Sequence, residues 1–169
     1  MIKKIAFTLC IAAFFTTHTI AQRIAIVDVT QILESLDTYK EAQTQLDKSA
    51  AEWRQEIAQE YDAIKGLYSR YQAEQVLLSD DQRKQREDEI MSKERTVREL
   101  QKQRFGPEGA LFEKRQDLIQ PIQEKIYNAI EEFADDRNYD FIFDKGGSAG
   151  LLFVNPQFDK TEDILKLVK

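Results

Sequence analysis

The sequence contains one cysteine and one histidine, Cys10 and His18, and both lie in its first 21 residues. That stretch reads as a secretory leader. It has a basic start, MIKK, then the apolar run IAFTLCIAAFF, then Thr19 and Ala21 as the small residues of a cleavage site before Gln22. The apolar run falls short of the roughly 20 residues that a membrane span needs. Cys10 lies too early for a lipoprotein signal, and Leu9 stands where a small residue would be required. With residues 1–21 removed, no thiol nucleophile, imidazole base or nitrogen or sulfur metal ligand remains. Disulfides are excluded although an exported compartment would permit them. Any catalysis would fall to carboxylates, Lys, Tyr, Ser or Thr, so neither enzymatic activity nor a metal or other cofactor is expected.

An excess of positive charge is also missing. Two of the 24 basic residues, Lys3 and Lys4, belong to the leader, which leaves 22 against 30 acidic residues and a net charge of −8. Phosphate contacts dominate nucleic-acid affinity, so this balance argues against a nucleic-acid partner. Glycine and proline are scarce where they would matter most. Between Gln22 and Arg104 there is one glycine, Gly66, and no proline.

What is present divides the mature chain into two kinds of sequence. RIAIVDV, Arg23 to Val29, is a short β-branched run suited to a buried strand, and Thr30 is placed to cap the short helix QILESLD that follows. A long helical region then begins. Ala50, Ile57, Ile64, Tyr71 and Leu78 recur every seven residues, with Leu46, Trp53 and Leu67 at the companion positions. Ile90, Val97, Leu111 and Leu118 continue at multiples of seven, joined by Leu100. Such narrow seams belong to a coiled coil and not to the broad stripe of a globular core helix.

Between the seams, QVLLSDDQRK (Gln75 to Lys84) carries a capping-box pattern. Ser79 is followed three residues later by Gln82, with Asp80 and Asp81 in the first turn, where the helix dipole favours acid. One helix is expected to end near Leu78 and another to begin at Ser79, as an antiparallel hairpin whose outgoing limb is about 60 Å long. RFGPEGALF, Arg104 to Phe112, places Gly106, Pro107 and Gly109 inside the return limb, where a kink, bulge or short break is expected. Pro121 marks a second possible bend. Beyond it Ile122, Ile126, Ile130 and Phe133 form a broader stripe fit to pack on a sheet.

The C-terminal part reads as two strands, YDFIFD and GLLFVN, joined by the turn KGGS, then a helix EDILKLVK capped by Asp159 or Thr161. For these strands to share a sheet with the first one, the helical excursion must return to its origin, and a hairpin does so. The expected fold is therefore α+β. A small β-rich body, residues 22–37 and 121–169, would carry a helical hairpin arm, residues 38–120, inserted between the first strand and the C-terminal strands, with its tip near 78–81.

A leader, RIAIVDV, a long charged hairpin, YDFIFD and a closing DKTEDILKLVK together resemble the Skp/OmpH family of periplasmic chaperones from Gram-negative bacteria. The resemblance spans the mature chain and is most specific in the first strand and from Pro121 to Lys169. It implies a homotrimer whose three arms enclose a cavity for unfolded outer-membrane proteins, held without ATP after export. It also brings possible contact with membrane or lipopolysaccharide surfaces, although members of the family are typically basic and the −8 charge argues against that contact. Ile24, Ile26, Phe141, Phe143, Leu152 and Val154 are then the candidates for a shared trimer core, since a few short strands leave edges that need pairing. Tyr61, Tyr68, Tyr71, Leu77 and Phe112 are the candidates for client contact, whereas Trp53 and Leu78 are assigned to the seam. Arg83, Lys84, Arg86, Arg95, Arg98, Lys102 and Arg104 read as a solvated face paired with Glu87, Glu94 and Glu99. The competing reading is a structural or adaptor coiled coil of the envelope. A carboxylate glycosidase is remote, because that chemistry needs two acids fixed in a cleft.

Overall fold

A computed structural model describes residues 22–147 and 150–169. The proposed leader lies outside the described residues, as do Ser148 and Ala149. The elements run β1 (Ile24–Val27), α1 (Val29–Ser35), α2 (Asp37–Glu74), α3 (Asp80–Phe105), α4 (Ala110–Arg137), β2 (Phe141–Asp144), a 3-10 turn (Pro156–Phe158) and α5 (Thr161–Val168).

The core of the base is mainly helical. Val27 of β1, Ile32 and Leu33 of α1, Ile126 and Phe133 of α4, and Ile164 and Val168 of α5 form one buried cluster. The two strands pair in parallel, Ile24 opposite Phe141 and Ile26 opposite Phe143. Parallel strands need a long crossover, and here the crossover is the whole hairpin. On the other edge of β1, Ile26 bridges to Asp159, and Lys160 donates its N–H to the Ile26 carbonyl at 2.8 Å. Thr161 fixes α5 to the end of β1. Its buried hydroxyl accepts the Asp28 N–H at 2.9 Å, and its own N–H is donated to Asp159 Oδ1 at 3.0 Å.

The expected third strand is absent. GLLFVN, residues 150–155, forms no ladder, so among the described residues the sheet has two strands and the body is not β-rich. The chain leaving β2 is held by the start of α1 and the end of β1. Asp144 Oδ1 accepts from Val29 N and Gly146 N, and Lys145 N donates to the Val27 carbonyl. The first residues of the turn are thus tied to the start of α1. Beside that contact, α1 begins at Val29, one residue before the expected cap Thr30, and is capped instead by Asp28, whose side chain accepts from Gln31 N.

The limbs α2 and α3 pack as a hairpin. Ile57, Ile64, Ile90 and Val97 are its buried seam, flanked by Leu67, Tyr71, Leu100 and Phe105. Nearer the base, Ala42, Leu46 and Ile119 form a second buried group with Leu111 and Leu118 against it. The capping box at Ser79 and Gln82 is present. The outgoing helix stops at Glu74, four residues short of the expected Leu78, and Gln75 to Leu78 form the turn. The return limb breaks at Gly106 to Gly109, whereas Pro121 lies within α4 without ending it. Asn138, in the left-handed region at φ 53°, closes α4; asparagine tolerates that conformation better than most residues.

Candidate functional site

Two surfaces collect the residues singled out in the sequence. The first is the outer face of the sheet. Alternation sends Ala25, Val27 and Ile142 toward the helical core and Ile24, Ile26, Phe141 and Phe143 to the other side. Ile26 is 7% exposed within the protomer, but Ile24, Phe141 and Phe143 remain exposed, and the two phenylalanine rings stack at 6.2 Å. Leu152 is fully exposed and Val154 half-buried. Sequence reasoning missed Phe153 and Phe158, which are also exposed. Read as a strand, 150–155 would place Phe153 opposite Leu152. Without a ladder that alternation loses its meaning, and both side chains stand in solvent. No described element pairs with the outer edge of β2.

The second surface is the arm. Tyr61 and Tyr68 are exposed, and Tyr71 is half-buried against the seam. Their hydroxyls reach across the hairpin: Tyr61 donates to Gln101 Oε1 at 3.4 Å, Tyr68 to Glu94 Oε1 at 3.0 Å, and Tyr71 to Glu87 Oε1. Tyr61 and Tyr68 are seven apart on α2, and so are Gln101 and Glu94 on α3. The rungs therefore repeat with the heptad. Sequence periodicity located these tyrosines beside the seam but could not show that their phenols cross it. At the tip, Leu77 is 84% exposed and Val76 nearly as much, while Leu78 is half-buried. Phe112 is exposed at the start of α4, and Trp53 packs edge-on against Phe105, which flanks the seam.

Of the seven basic residues singled out on the arm, four meet a carboxylate. Arg83 meets Asp80, Arg86 meets Glu89, Arg98 meets Glu94 and Arg104 meets Glu56, at 3.1 to 3.7 Å. Of the three expected acidic partners only Glu94 takes an arginine; Glu87 takes the Tyr71 hydroxyl instead, and Glu99 forms no ion pair with the described residues.

The phenols titrate accordingly. Hydrogen bonding to the Glu94 carboxylate raises Tyr68 above the ordinary tyrosine range, and Glu87 raises Tyr71 in the same way. A group whose folded pKa is raised contributes stability that is fully present below its unfolded value and is lost as pH rises through the folded one. The arm is therefore expected to weaken above about pH 10, the ordinary tyrosine value. Circular dichroism melts of the parent should show a falling Tm there, and Tyr68→Phe with Tyr71→Phe should flatten that fall. An identical alkaline profile in both proteins would exclude the phenols as its source.

No helix among the described residues is long and apolar enough to cross a membrane. No group of three or more His, Cys, Asp or Glu able to hold a metal occurs among them.

By fold, the molecule is a helical base with a two-stranded parallel sheet from which a broken antiparallel hairpin projects. The sequence profile of the family Outer membrane protein (OmpH-like) matches residues 23–168, and the chain belongs to that family. A crystal structure from Caulobacter crescentus CB15, provisionally described as an outer membrane chaperone (OmpH-like), is similar in fold. The likeness covers 90% of this chain and 87% of that one, at 14% identity and a TM-score of 0.71. No curated protein matches the chain. The family supports a chaperone role.

Proposed function

We propose that the protein is an ATP-independent periplasmic holdase that self-associates as a homotrimer and keeps unfolded outer-membrane β-barrel proteins from aggregating between its arms. The observation that carries this reading is the uncovered apolar face of Ile24, Phe141 and Phe143, at the base of an arm whose far end exposes Val76 and Leu77. A two-stranded sheet is marginal by itself. An apolar face of this kind, beside an open β2 edge and the unpaired segment 151–155, is suited to pairing with further copies of the chain. In the trimer Ile24, Ile26, Phe141 and Phe143 form the shared core, with Leu152 and Val154 contributed by the extended segment.

Clients are held weakly at many points. The exposed rings of Tyr61 and Tyr68, the edge of Tyr71, Phe112 and above all Leu77 offer apolar contact to a chain with no fixed shape. The tyrosine hydroxyls are engaged across the hairpin, so these residues act through their ring faces. The leader at residues 1–21 directs export and is removed before Gln22.

The test is dilution of an urea-unfolded β-barrel protein into buffer with a molar excess of the mature chain, followed by light scattering. The expected result is scattering that falls with increasing ratio, in the absence of nucleotide. Scattering unchanged at every ratio would contradict the reading. The tyrosine rungs, which stiffen the arm, favour one alternative, an envelope spacer between fixed partners. One stable native partner with no affinity for unfolded chains would establish it.

A further inference from the structure

The break in the return limb is built more firmly than an interruption by Gly106, Pro107 and Gly109 would suggest. Helix α2 passes it without a break, while α3 ends at Phe105 and α4 begins at Ala110. At this level three residues of α2 grip the last turn of α3. The Arg104 guanidinium lies 4.9 Å from the centre of the Trp53 ring, and its Nη2 meets Glu56 Oε2 at 3.3 Å. Phe105 meets Trp53 edge to face at 6.3 Å, and the Arg54 guanidinium lies 5.9 Å over Phe105. The alternation Arg54, Phe105, Trp53, Arg104 joins the two limbs at one height on the arm.

The backbone below this stack is tightly closed. Gly106 N donates to the Lys102 carbonyl at 2.8 Å and Gly109 N to the Gly106 carbonyl at 3.0 Å. A Cβ at Gly106 would stand 2.4 Å from the Lys102 oxygen, and one at Gly109 would stand 2.8 Å from the Gln103 oxygen. Both positions therefore exclude any side chain. On its open side the break borders a recess of about 420 Å³, lined by α3 and the break itself, including Glu99, Lys102, Pro107 and Glu108. The joint thus has a grip on the α2 side and free space on the other.

From this geometry we infer that Trp53, Arg54 and Glu56 form a latch on Arg104 and Phe105 that locks the joint, so that the arm is stiff while the latch is closed and bends at residues 106–109 when it opens. With the latch closed, both limbs resist bending at this height. With it open, α2 alone does so, and the recess gives the return limb room to move. A guanidinium stacked on an indole and held by a carboxylate suits a closure that must be reversible, since such contacts are individually modest. Lysine would keep the charge but lose the planar stack. Trp53 and Arg104 are positioning residues in this scheme. The inference stands on the joint and is independent of what the arm holds.

The mature chain has no cysteine, so a pair introduced as Lys84→Cys near the tip and Glu131→Cys in the base, both exposed positions, accepts spin labels without background. Labelled chains diluted into excess unlabelled chain report one arm at a time. The expected result is a narrow tip-to-base distance distribution in the parent that broadens in Arg104→Ala, with amide exchange at residues 102–109 about tenfold faster, the order expected for losing a partly desolvated cation–π contact. Arg104→Lys should broaden the distribution as well, and it decides the matter if Arg104→Ala fails to fold. Trp53 is the single tryptophan, so its fluorescence should change in both variants. A distribution already broad in the parent, or equally narrow in parent and folded variants, would overturn the latch.

Discussion

Phe143→Asp is expected to yield a folded protomer that no longer self-associates, whereas Ile26→Asp should unfold the base altogether. The two residues face each other across the sheet, on the same side, yet their surroundings differ. Ile26 is 7% exposed within a single chain, and Phe143 is 38% exposed. An aspartate at 26 would bury an unpaired charge, which costs far more than a protomer of this size can absorb. At 143 the carboxylate would reach water in the isolated protomer and be trapped only in an assembly that covers the face. Burying one phenylalanine contributes about 1.5–3 kcal/mol, and a symmetric assembly repeats that loss in every subunit. Sedimentation and circular dichroism on the two variants separate the outcomes. A fully associated Phe143→Asp would show that the sheet's outer face is not where copies meet.

The second large effect is expected in the arm. Its seam between α2 and α3 rests on four buried side chains, Ile57, Ile64, Ile90 and Val97. Ile90 is 3% exposed, and truncating such a residue to alanine typically costs about 2–5 kcal/mol. With so few neighbours to share the loss, Ile90→Ala should release the upper hairpin without melting the base, whose cluster of Ile32, Ile126, Phe133 and Ile164 is separate. Hydrogen exchange should show amides of residues 57–100 losing protection while those of 122–134 and 161–168 keep theirs. Uniform loss across both regions would mean that arm and base unfold as one unit.

These predictions use features of unequal legibility in the sequence. The seam and the hairpin tip could be read because their causes are local. A seven-residue period needs no knowledge of the partner helix, and Ser79 with Gln82 forms its capping box within four residues. Gly106 and Gly109 marked the break for the same reason, although the grip of Trp53 and Arg104 on it, across the hairpin, could not be seen. Reading failed where a distant group decides. Gly150 to Asn155 has the composition of a strand, but composition does not say which edge it takes, and within the protomer it leaves the outer edge of β2 open while Asp144 ties the preceding turn to α1. Thr30 is an acceptable cap by residue type, though a weaker one than Asp28. The hold of Asp144 on Val29 N, from 115 residues away, accompanies the choice of Asp28. The candidate core residues Ile24, Phe141 and Phe143 were legible as apolar alternation. Which side of the sheet stays uncovered was not, because it depends on where α1, α4 and α5 pack.

Assembly and client capture together form the central claim, and native mass spectrometry tests both in one experiment. The mature chain alone should appear at three times the protomer mass. Addition of an unfolded outer-membrane β-barrel protein should shift that species by the mass of the client, with no nucleotide present. A species of one protomer mass, or a trimer whose mass is unchanged by the client at every ratio, would contradict the account.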